Sequence, residues 1–330
     1  MNTATFSASD IILKQRFEDV GPVHLREIAE GASKLSSLSQ KTLQKMEFLA
    51  PRLALELNTT AARTALLQKL VQGMSDFVLS RNQYFPLDRS RQLALAEIYR
   101  EFVGGITRSL SFAKSTSVFS RHLEAGLKEH HERLQSFVLG GLQEAGALGG
   151  PQPAESEPVC AEYATVTQLN ILGINSCSLL NPILDIGCGS EGKLVAQLKL
   201  EGHQAFGVDQ RALAKDYLLR ASWFDIPLSR GSWGTIISHQ SFCLHFLEAH
   251  LAGGERVRQF AQHYMKILQA LRPGGCFYYA PGLPFMEALL PKDTFAITSS
   301  PIQPAAPLPS ALQQVYGFSG ITRTQICRKL

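Results

Sequence analysis

A glycine-rich turn between two acidic residues is the feature of this sequence that can do chemistry. Residues 187–192 read GCGSEG and follow the apolar run PILDI, which contains Asp185. Such a turn lets backbone amides approach a nucleotide-like ligand without interference from side chains. A second acid, Asp209, ends the next apolar run. A carboxylate at that point can accept hydrogen bonds from both hydroxyls of a ribose.

The charge of Asp185 distinguishes between two kinds of ligand. The letters of the turn satisfy G-x-G-x-x-G and, taken alone, fit a nicotinamide or flavin cofactor equally well. Asp185 stands two residues before the first glycine. A carboxylate there is unfavourable beside a pyrophosphate and favourable near an ammonium group. S-adenosyl-L-methionine has a ribose and an ammonium and lacks phosphate, so the residues favour it.

The region around the turn has the pattern of a parallel sheet covered by helices. After residue 158, short apolar runs alternate with helical stretches. Strands are predicted at 182–187, 204–209, 234–239 and 276–283, and helices at 193–202 and 256–275, the second ended by a proline and two glycines. We therefore expect a doubly wound α/β sheet in residues 159–330.

The first part of the chain is predicted to be entirely helical. Residues 1–145 carry apolar stripes at helical spacing, with breaks expected at Pro51 and at 84–90. The stripes comprise Leu35, Leu38, Leu43 and Met46; Leu66, Leu70, Met74 and Phe77; and Phe119, Leu123, Leu127, Leu134, Val138 and Leu142. We expect a bundle of five to seven helices, joined to the sheet domain by a glycine- and proline-rich linker at 146–158.

Composition narrows the class of protein and its partners. A length of 330 residues favours two domains, and a net charge of +4 is too small to indicate a nucleic-acid partner. We see no apolar run of the roughly 20 residues that a membrane span needs, and the first ten residues lack the pattern of a signal peptide. We expect a cytoplasmic protein without a membrane partner, whose six cysteines are reduced.

At this point the sequence resembles the class I S-adenosylmethionine-dependent methyltransferases over about residues 160–330. Their first motif, acid-x-G-x-G, reads Asp185-Ile186-Gly187-Cys188-Gly189 here. Later motifs are similar in the expected order: GVD at 207–209, ASWFDIPL at 221–228, WGTIISHQSF at 233–242 and LRPGGCFYYA at 271–280. The resemblance implies a seven-stranded sheet with an antiparallel last strand, preceded here by the helical domain.

The resemblance also implies roles for individual residues. Gly187 and Gly189 would pass under the methionine part of the cofactor, Asp185 would orient its amino group through water, and Asp209 would hold the ribose. The chain departs from the family at two places. Glu191 stands where the third glycine is usual, so the turn is expected to be one residue longer.

The second departure concerns the adenine. Ser222 replaces the acid that commonly binds the adenine amino group, beside Trp223. Ser222 can still form a hydrogen bond, and Trp223 can either stack on the adenine or pack in the core. Asp225 is an alternative partner for the base. Tyr163, which precedes the first strand, can close over the cofactor or pack as an ordinary aromatic residue.

Candidate catalytic residues follow the strand at 234–239. His239 and His245 are candidates for a general base or a ligand of the substrate, and a structural role for His239 is equally open. Six residues near this strand have side chains that zinc accepts: His239, Cys243, His245, Glu248, His250 and His263. Their spacing matches no usual zinc pattern, so we expect no metal.

Taken together, these features predict a methyltransferase that uses S-adenosyl-L-methionine and acts on an oxygen or nitrogen of a small molecule. The alternatives are an aminocarboxypropyl transferase of the nicotianamine synthase type, suggested by the helical domain before the same fold, and a non-catalytic partner-binding module. The helical domain is expected to cover the acceptor site or to form a homodimer.

Overall fold

The computed structural model divides the protein into two compact units, Met1–Glu157 and Pro158–Leu330. The residues that it describes are 25–30, 40–82, 85–111, 116–144, 163–302, 310–316 and 320–330. The predicted linker at 146–158 lies outside the described residues, as do Leu35, Leu38 and Cys160.

In its described part the first unit contains helices and no strands. Its helices are α1 (Leu25–Ala29), α2 (Gln40–Glu56), α3 (Thr60–Arg81), α4 (Arg89–Leu110) and α5 (Thr116–Glu144). All six residues of the predicted stripe on α5 are buried, and they join Leu66, Leu70 and Met74 of α3 in one core. The amphipathic pattern was therefore a correct guide to this core.

One of the two predicted helix breaks is wrong. Helix α3 ends at Arg81 and α4 begins at Arg89, where the Asp88 side chain caps the helix by accepting a hydrogen bond from the Arg91 backbone N–H at 3.0 Å. Pro51, in contrast, lies inside α2. Ala50 and Leu53 on either side of it are buried, and this packing stabilises the helix despite the hydrogen bond that proline cannot donate.

The second unit is built on a seven-stranded sheet in the order β3-β2-β1-β4-β5-β7-β6. The strands are β1 (Ile183–Ile186), β2 (Ala205–Asp209), β3 (Leu218–Arg220), β4 (Trp233–His239), β5 (Leu271–Ala280), β6 (Phe295–Pro301) and β7 (Thr322–Arg328). Its helices are α6 (Thr165–Leu172), α7 (Lys193–Leu200), α8 (Phe242–Ala252), α9 (Arg256–Ala270), α10 (Pro284–Glu287) and α11 (Ser310–Tyr316).

The direction of the strands confirms the predicted fold class. Strands β3, β2, β1, β4 and β5 pair in parallel, and β7 lies antiparallel between β5 and β6. All four residues of β1 are buried, since this strand is central and helices cover both faces. The carboxyl ends of β1, β2, β3 and β4 consequently meet at one edge of the sheet.

Strand β5 begins earlier than the sequence predicts. Helix α9 ends at Ala270, and residues 271–275, which were predicted as the proline- and glycine-containing end of this helix, belong to the strand. Leu271 pairs with Trp233, and a register shift between Trp233 and Thr235 accommodates the extra residues of β5.

The expectation of reduced cysteines is wrong for one pair. Cys276 on β5 and Cys327 on β7 form a disulfide across 51 residues of sequence. They are direct partners in the antiparallel ladder, which brings their Cα atoms to 4.1 Å. Such a contact depends on the pairing of the strands and is not visible in cysteine spacing.

None of the helices among the described residues is both long enough and apolar enough to span a bilayer.

Candidate functional site

The glycine turn, Gly187–Gly192, connects β1 to α7 with a backbone that favours glycine. Gly187, Gly189 and Gly192 have φ values of 80°, 75° and 58°, all in the left-handed region. Gly192 is the N-cap of α7. The third glycine therefore stands where the helix begins, and Glu191 is the exposed additional residue of the turn.

Two of these glycines also allow close packing. A Cβ on Gly187 would lie 2.2 Å from Cβ of Ser241, and one on Gly192 would lie 2.6 Å from Cδ2 of Leu218. Ser241 follows β4 and donates a hydrogen bond from Oγ to the carbonyl of Ile186 at 2.5 Å. The ends of β1 and β4 are thus in direct contact beneath the site.

Asp209 fixes the glycine turn to the end of β2. Its Oδ2 accepts a hydrogen bond from the Gly189 N–H at 3.1 Å, and its Oδ1 accepts one from the Arg211 N–H at 2.7 Å. Each carboxylate oxygen has a further lone pair, so both can still accept from a ligand. Burial raises the pKa of Asp209, while the backbone hydrogen bonds of Arg211 and Gly189 lower it.

Asp185 is buried at the centre of this edge. Its side chain is 3% exposed, and burial, together with the charge of Asp209, raises its pKa to about 7. A nearby cation stabilises the ionised form of such a carboxyl, because it compensates for the solvation that the charge has lost. The arrangement suits an ammonium group and opposes a phosphate.

A cleft opens at the glycine turn. Its volume is about 190 Å³, and it is lined by Gln168, Cys188, Gly189, Ser190, Glu191, Gly192 and Lys193. Sites for drug-sized ligands hold roughly 300–1,000 Å³, so this cleft accommodates one part of such a ligand. Burial and the charge of Asp185 raise the pKa of the Cys188 thiol, which keeps it protonated.

Ser222 and Trp223 lie where the adenine partner is predicted, directly after β3. Ser222 is 1% exposed, and its Oγ accepts a hydrogen bond from the Phe224 N–H at 3.3 Å. Trp223 is buried, with its ring edge-on to those of His245 and Phe242 at 5.0 and 6.0 Å.

His239 ends β4 beside the contact of Ser241 with Gly187. It is buried, and burial lowers its pKa to about 4, so the imidazole is neutral at pH 7. Its Nε2 is buried and has no hydrogen-bond partner among the described residues. The ring of Tyr163 lies edge-on at 5.5 Å, which brings two predicted site residues together.

His245 belongs to α8 and is in a different environment. Burial, with the charge of Arg256, lowers its pKa to about 3, and its ring packs against Trp223. In the described ranges, no group of three or more His, Cys, Asp and Glu residues is arranged to hold a metal ion.

Several residues of the site were not singled out from the sequence. Gln168 lines the cleft and donates from Nε2 to the Tyr163 carbonyl at 3.0 Å. Lys215 donates to the carbonyl of Glu191 at 2.8 Å, and Gln240 adopts a left-handed φ of 47°. Of these residues, only Gln168 could have been noticed in the sequence, because it lies near Tyr163. The positions of Lys215 and Gln240 in the site depend on contacts between residues that are distant in the sequence.

Comparisons with known proteins give low-identity matches over about half of the chain. No protein-family model and no curated protein matches it by sequence. Among solved structures, the N-methyltransferase NodS from Bradyrhizobium japonicum shares 12% identity with a TM-score of 0.33, covering 50% of this chain and 93% of that one. An S-adenosylmethionine-dependent methyltransferase from Mesorhizobium loti shares 18% identity with a TM-score of 0.30, covering 44% and 90%.

A third match is the plantazolicin methyltransferase BpumL, solved in complex with a pentazolic desmethylPZN analog and SAH. It shares 14% identity with a TM-score of 0.34, and the match covers 51% of this chain and 87% of that one. The strand order, independently of these values, is the arrangement that the resemblance implied. The second unit has the seven-stranded fold of the class I S-adenosylmethionine-dependent methyltransferases.

Proposed function

We propose that the protein is an S-adenosyl-L-methionine-dependent methyltransferase that acts on an oxygen or nitrogen atom of a small molecule. The observation that carries the proposal is the pair of carboxylates at the ends of neighbouring strands. Asp185 is buried, and a buried carboxylate favours a nearby cation. Asp209 accepts hydrogen bonds from the Gly189 and Arg211 N–H groups and keeps lone pairs that can accept from hydroxyl groups. A ligand with an ammonium and a ribose satisfies both.

The residues present fit this cofactor better than a dinucleotide. A pyrophosphate at the glycine turn would bring negative charge towards Asp185, whose desolvated carboxyl already resists ionisation. Gly187 and Gly189 would lie under the methionine part, and Asp209 would accept from the ribose. S-adenosyl-L-methionine, when bound, supplies an electrophilic methyl group on its sulfonium.

On the acceptor side, His239 offers a neutral imidazole nitrogen. With a pKa of about 4, it is a weak base for removing a proton in free solution. Its Nε2 can nevertheless accept a hydrogen bond from the hydroxyl or amine of an acceptor and so orient a lone pair towards the methyl group. Tyr163, in edge contact with His239, would help to exclude water there.

The proposal also covers the class of acceptor and the role of the helical unit. The low net charge supports a small-molecule acceptor over a nucleic acid. We keep homodimerisation through the helical unit as part of the proposal, and sedimentation equilibrium of the full chain tests it.

The test of the activity is to incubate the protein with S-adenosyl-L-methionine and candidate small molecules and to identify the nucleoside product. S-adenosylhomocysteine is expected, since it is the product of methyl transfer. Methylthioadenosine would instead identify an aminocarboxypropyl transferase. Calorimetry gives a second test, because micromolar binding of NAD without binding of S-adenosylhomocysteine would contradict the cofactor assignment.

A further inference from the structure

The disulfide between Cys276 and Cys327 lies in a polar cluster on one face of strands β5 and β7. Tyr278 and Gln325 are paired two residues further along the ladder, so their side chains lie on the same face as the sulfurs. Gln325 Nε2 donates to the Tyr278 hydroxyl at 3.0 Å and lies 3.2 and 3.7 Å from Sγ of Cys327 and Cys276. Both cysteines are half-buried, which leaves the disulfide partly open to solvent.

Arg323 connects this face of β7 to the end of α6. It precedes Gln325 by two residues on the strand, so its side chain also lies on that face. Its Nη1 donates to the carbonyls of Asn170 and Ile171, in the last turn of α6, at 3.0 and 3.5 Å. A cation at a helix C-terminus stabilises the last carbonyls and the helix dipole. Strand β7 therefore holds the end of α6 in place.

Helix α6 carries side chains of the candidate site. Gln168 lines the cleft at the glycine turn, and its Nε2 donates to the Tyr163 carbonyl at 3.0 Å. The Tyr163 ring is in edge contact with His239. A continuous route thus leads from the disulfide along β7 to Arg323, and through α6 to the cleft, entirely within the second unit.

Reduction of the disulfide changes the space that the two sulfurs occupy. Bonded sulfurs lie about 2 Å apart, whereas non-bonded heavy atoms pack at roughly 3.5–4 Å. After reduction the two side chains therefore move apart, and β7 loses its covalent link to β5. A dithiol is a sufficient reductant. Its first thiolate attacks one cysteine sulfur and releases the other cysteine, its second thiolate displaces the attacked cysteine, and both cysteine thiolates take up protons while the reductant becomes a disulfide.

We infer that the Cys276–Cys327 disulfide is a redox switch that acts through Arg323 and α6 on the binding of the adenosyl cofactor. In the oxidised form β7 is fixed to β5, so the end of α6 is held and the cleft is preorganised. In the reduced form this end is held less firmly, and ordering it adds a cost to binding. The effect on the cofactor rests on the proposed function, whereas the loosening of α6 does not.

The experiment is calorimetry of the full chain with S-adenosylhomocysteine before and after treatment with dithiothreitol, while alkylation and mass spectrometry establish the state of Cys276 and Cys327. The oxidised protein is expected to bind about fivefold more tightly than the reduced protein. Hydrogen exchange is a second readout that needs no ligand. The backbone amides of Gly173 and Ile174, which donate to carbonyls in the last turn of α6, are expected to exchange about fivefold faster after reduction.

Arg323→Met keeps the length of the side chain and removes the guanidinium. It is expected to bind S-adenosylhomocysteine about fivefold more weakly than the oxidised wild type, and alike in both redox states within about twofold. The matched control is Arg328→Met. Arg328 follows Cys327 on the same strand, but its side chain donates to the Leu271 carbonyl of β5 at 2.8 Å. This variant is expected to keep the fivefold difference between the redox states.

The inference is overturned if the oxidised and reduced wild-type proteins bind S-adenosylhomocysteine equally, if Arg323→Met retains the fivefold difference, or if Cys276 and Cys327 are both alkylated before reduction. A different outcome would separate it from the proposed function. If neither form binds S-adenosylhomocysteine but Gly173 and Ile174 exchange faster after reduction, the proposed function fails and the redox control of α6 stands.

Discussion

The two turns that meet at the site differ in how their polar groups are partnered. In the glycine turn, Asp209 accepts from two backbone N–H groups, and Lys215 binds the Glu191 carbonyl. In the turn after β4, which comprises His239–Ser241, Ser241 is bonded to the Ile186 carbonyl, but the Nε2 atom of His239 has no partner within the described residues and Gln240 adopts a left-handed backbone.

This difference distinguishes two kinds of contribution to function. A turn whose groups are already bonded keeps its shape without ligand and can bind a constant part of a cofactor at low cost. A turn that retains an unpaired atom and a sparsely populated backbone conformation is less stable than it can be. We interpret the glycine turn as the preorganised cofactor platform and the β4 turn as the acceptor side.

The largest effect is expected where the two turns touch. Gly187→Ala would force a side chain onto a backbone with φ of 80° and place its Cβ 2.2 Å from that of Ser241. We expect the free energy of unfolding, measured with urea, to fall by about 3 kcal/mol.

The control for this variant is Gly202→Ala. Gly202 also has a positive φ, 89°, but nothing lies within 4 Å of a Cβ built there. This variant measures the cost of the left-handed backbone alone, and its free energy of unfolding should fall by about 1 kcal/mol. Equal losses in the two variants would contradict a tight contact between the turns.

The platform itself is tested by Asp209→Ala. We expect the binding of S-adenosylhomocysteine to weaken by about 2–3 kcal/mol, because charge-assisted hydrogen bonds to the ribose are lost and Gly189 loses its anchor. Asp209→Asn keeps one acceptor and should lose less. Asp225, which the sequence offers as an alternative partner for the base, is exposed, and we expect Asp225→Ala to change the binding energy by less than about 0.5 kcal/mol. A large effect at Asp225 and none at Asp209 would reverse the assignment.

The sequence was a good guide to the parts of the fold that depend on periodicity. The stripe on α5 and the strands around Asp185 and Asp209 follow from local patterns, because burial of one face imposes a repeat on the chain. Pro51 was misinterpreted, since a buried helix face can outweigh the local preference of one residue. The disulfide of Cys276 with Cys327 was missed because it depends on strand pairing.

The site shows the same limit. The glycine turn and its acids have a fixed spacing that marks them in the sequence, whereas Ser241 contacts Gly187 across more than fifty residues. The lack of a partner for His239 Nε2 within the described residues depends on what surrounds the side chain. Spacing along the chain carries no signal for such contacts.

A smaller effect of opposite sign is expected for Asp185→Asn. Because the folded pKa of about 7 lies above the ordinary value of 3.8, Asp185 stabilises the fold most below pH 4, and this contribution is lost as the pH rises through 7. At pH 8 the free energy of unfolding of the variant should be about 2 kcal/mol higher than that of the wild type. The variant should also bind S-adenosylhomocysteine more weakly.

The same pKa predicts how binding depends on pH. An ammonium group binds the ionised form of Asp185, so wild-type affinity for S-adenosylhomocysteine should rise as the pH increases from 6 to 8 and level off above the pKa of about 7. Asp185→Asn should flatten this profile. If the wild-type affinity does not rise over this pH range, Asp185 does not bind the ammonium group.

The smallest effect is expected at the unpaired histidine of the β4 turn. His239→Leu replaces a buried imidazole by an apolar side chain of similar size, which removes the unpaired Nε2 but also the edge contact with Tyr163. We expect the unfolding free energy to rise by about 1 kcal/mol, the part of the unpaired-atom penalty that remains after the lost ring contact. Binding of S-adenosylhomocysteine should stay within about twofold of wild type, since His239 is assigned to the acceptor. Urea unfolding and calorimetry measure the two quantities. A variant that loses stability and cofactor affinity together would place His239 with the platform residues and remove the distinction between the two turns.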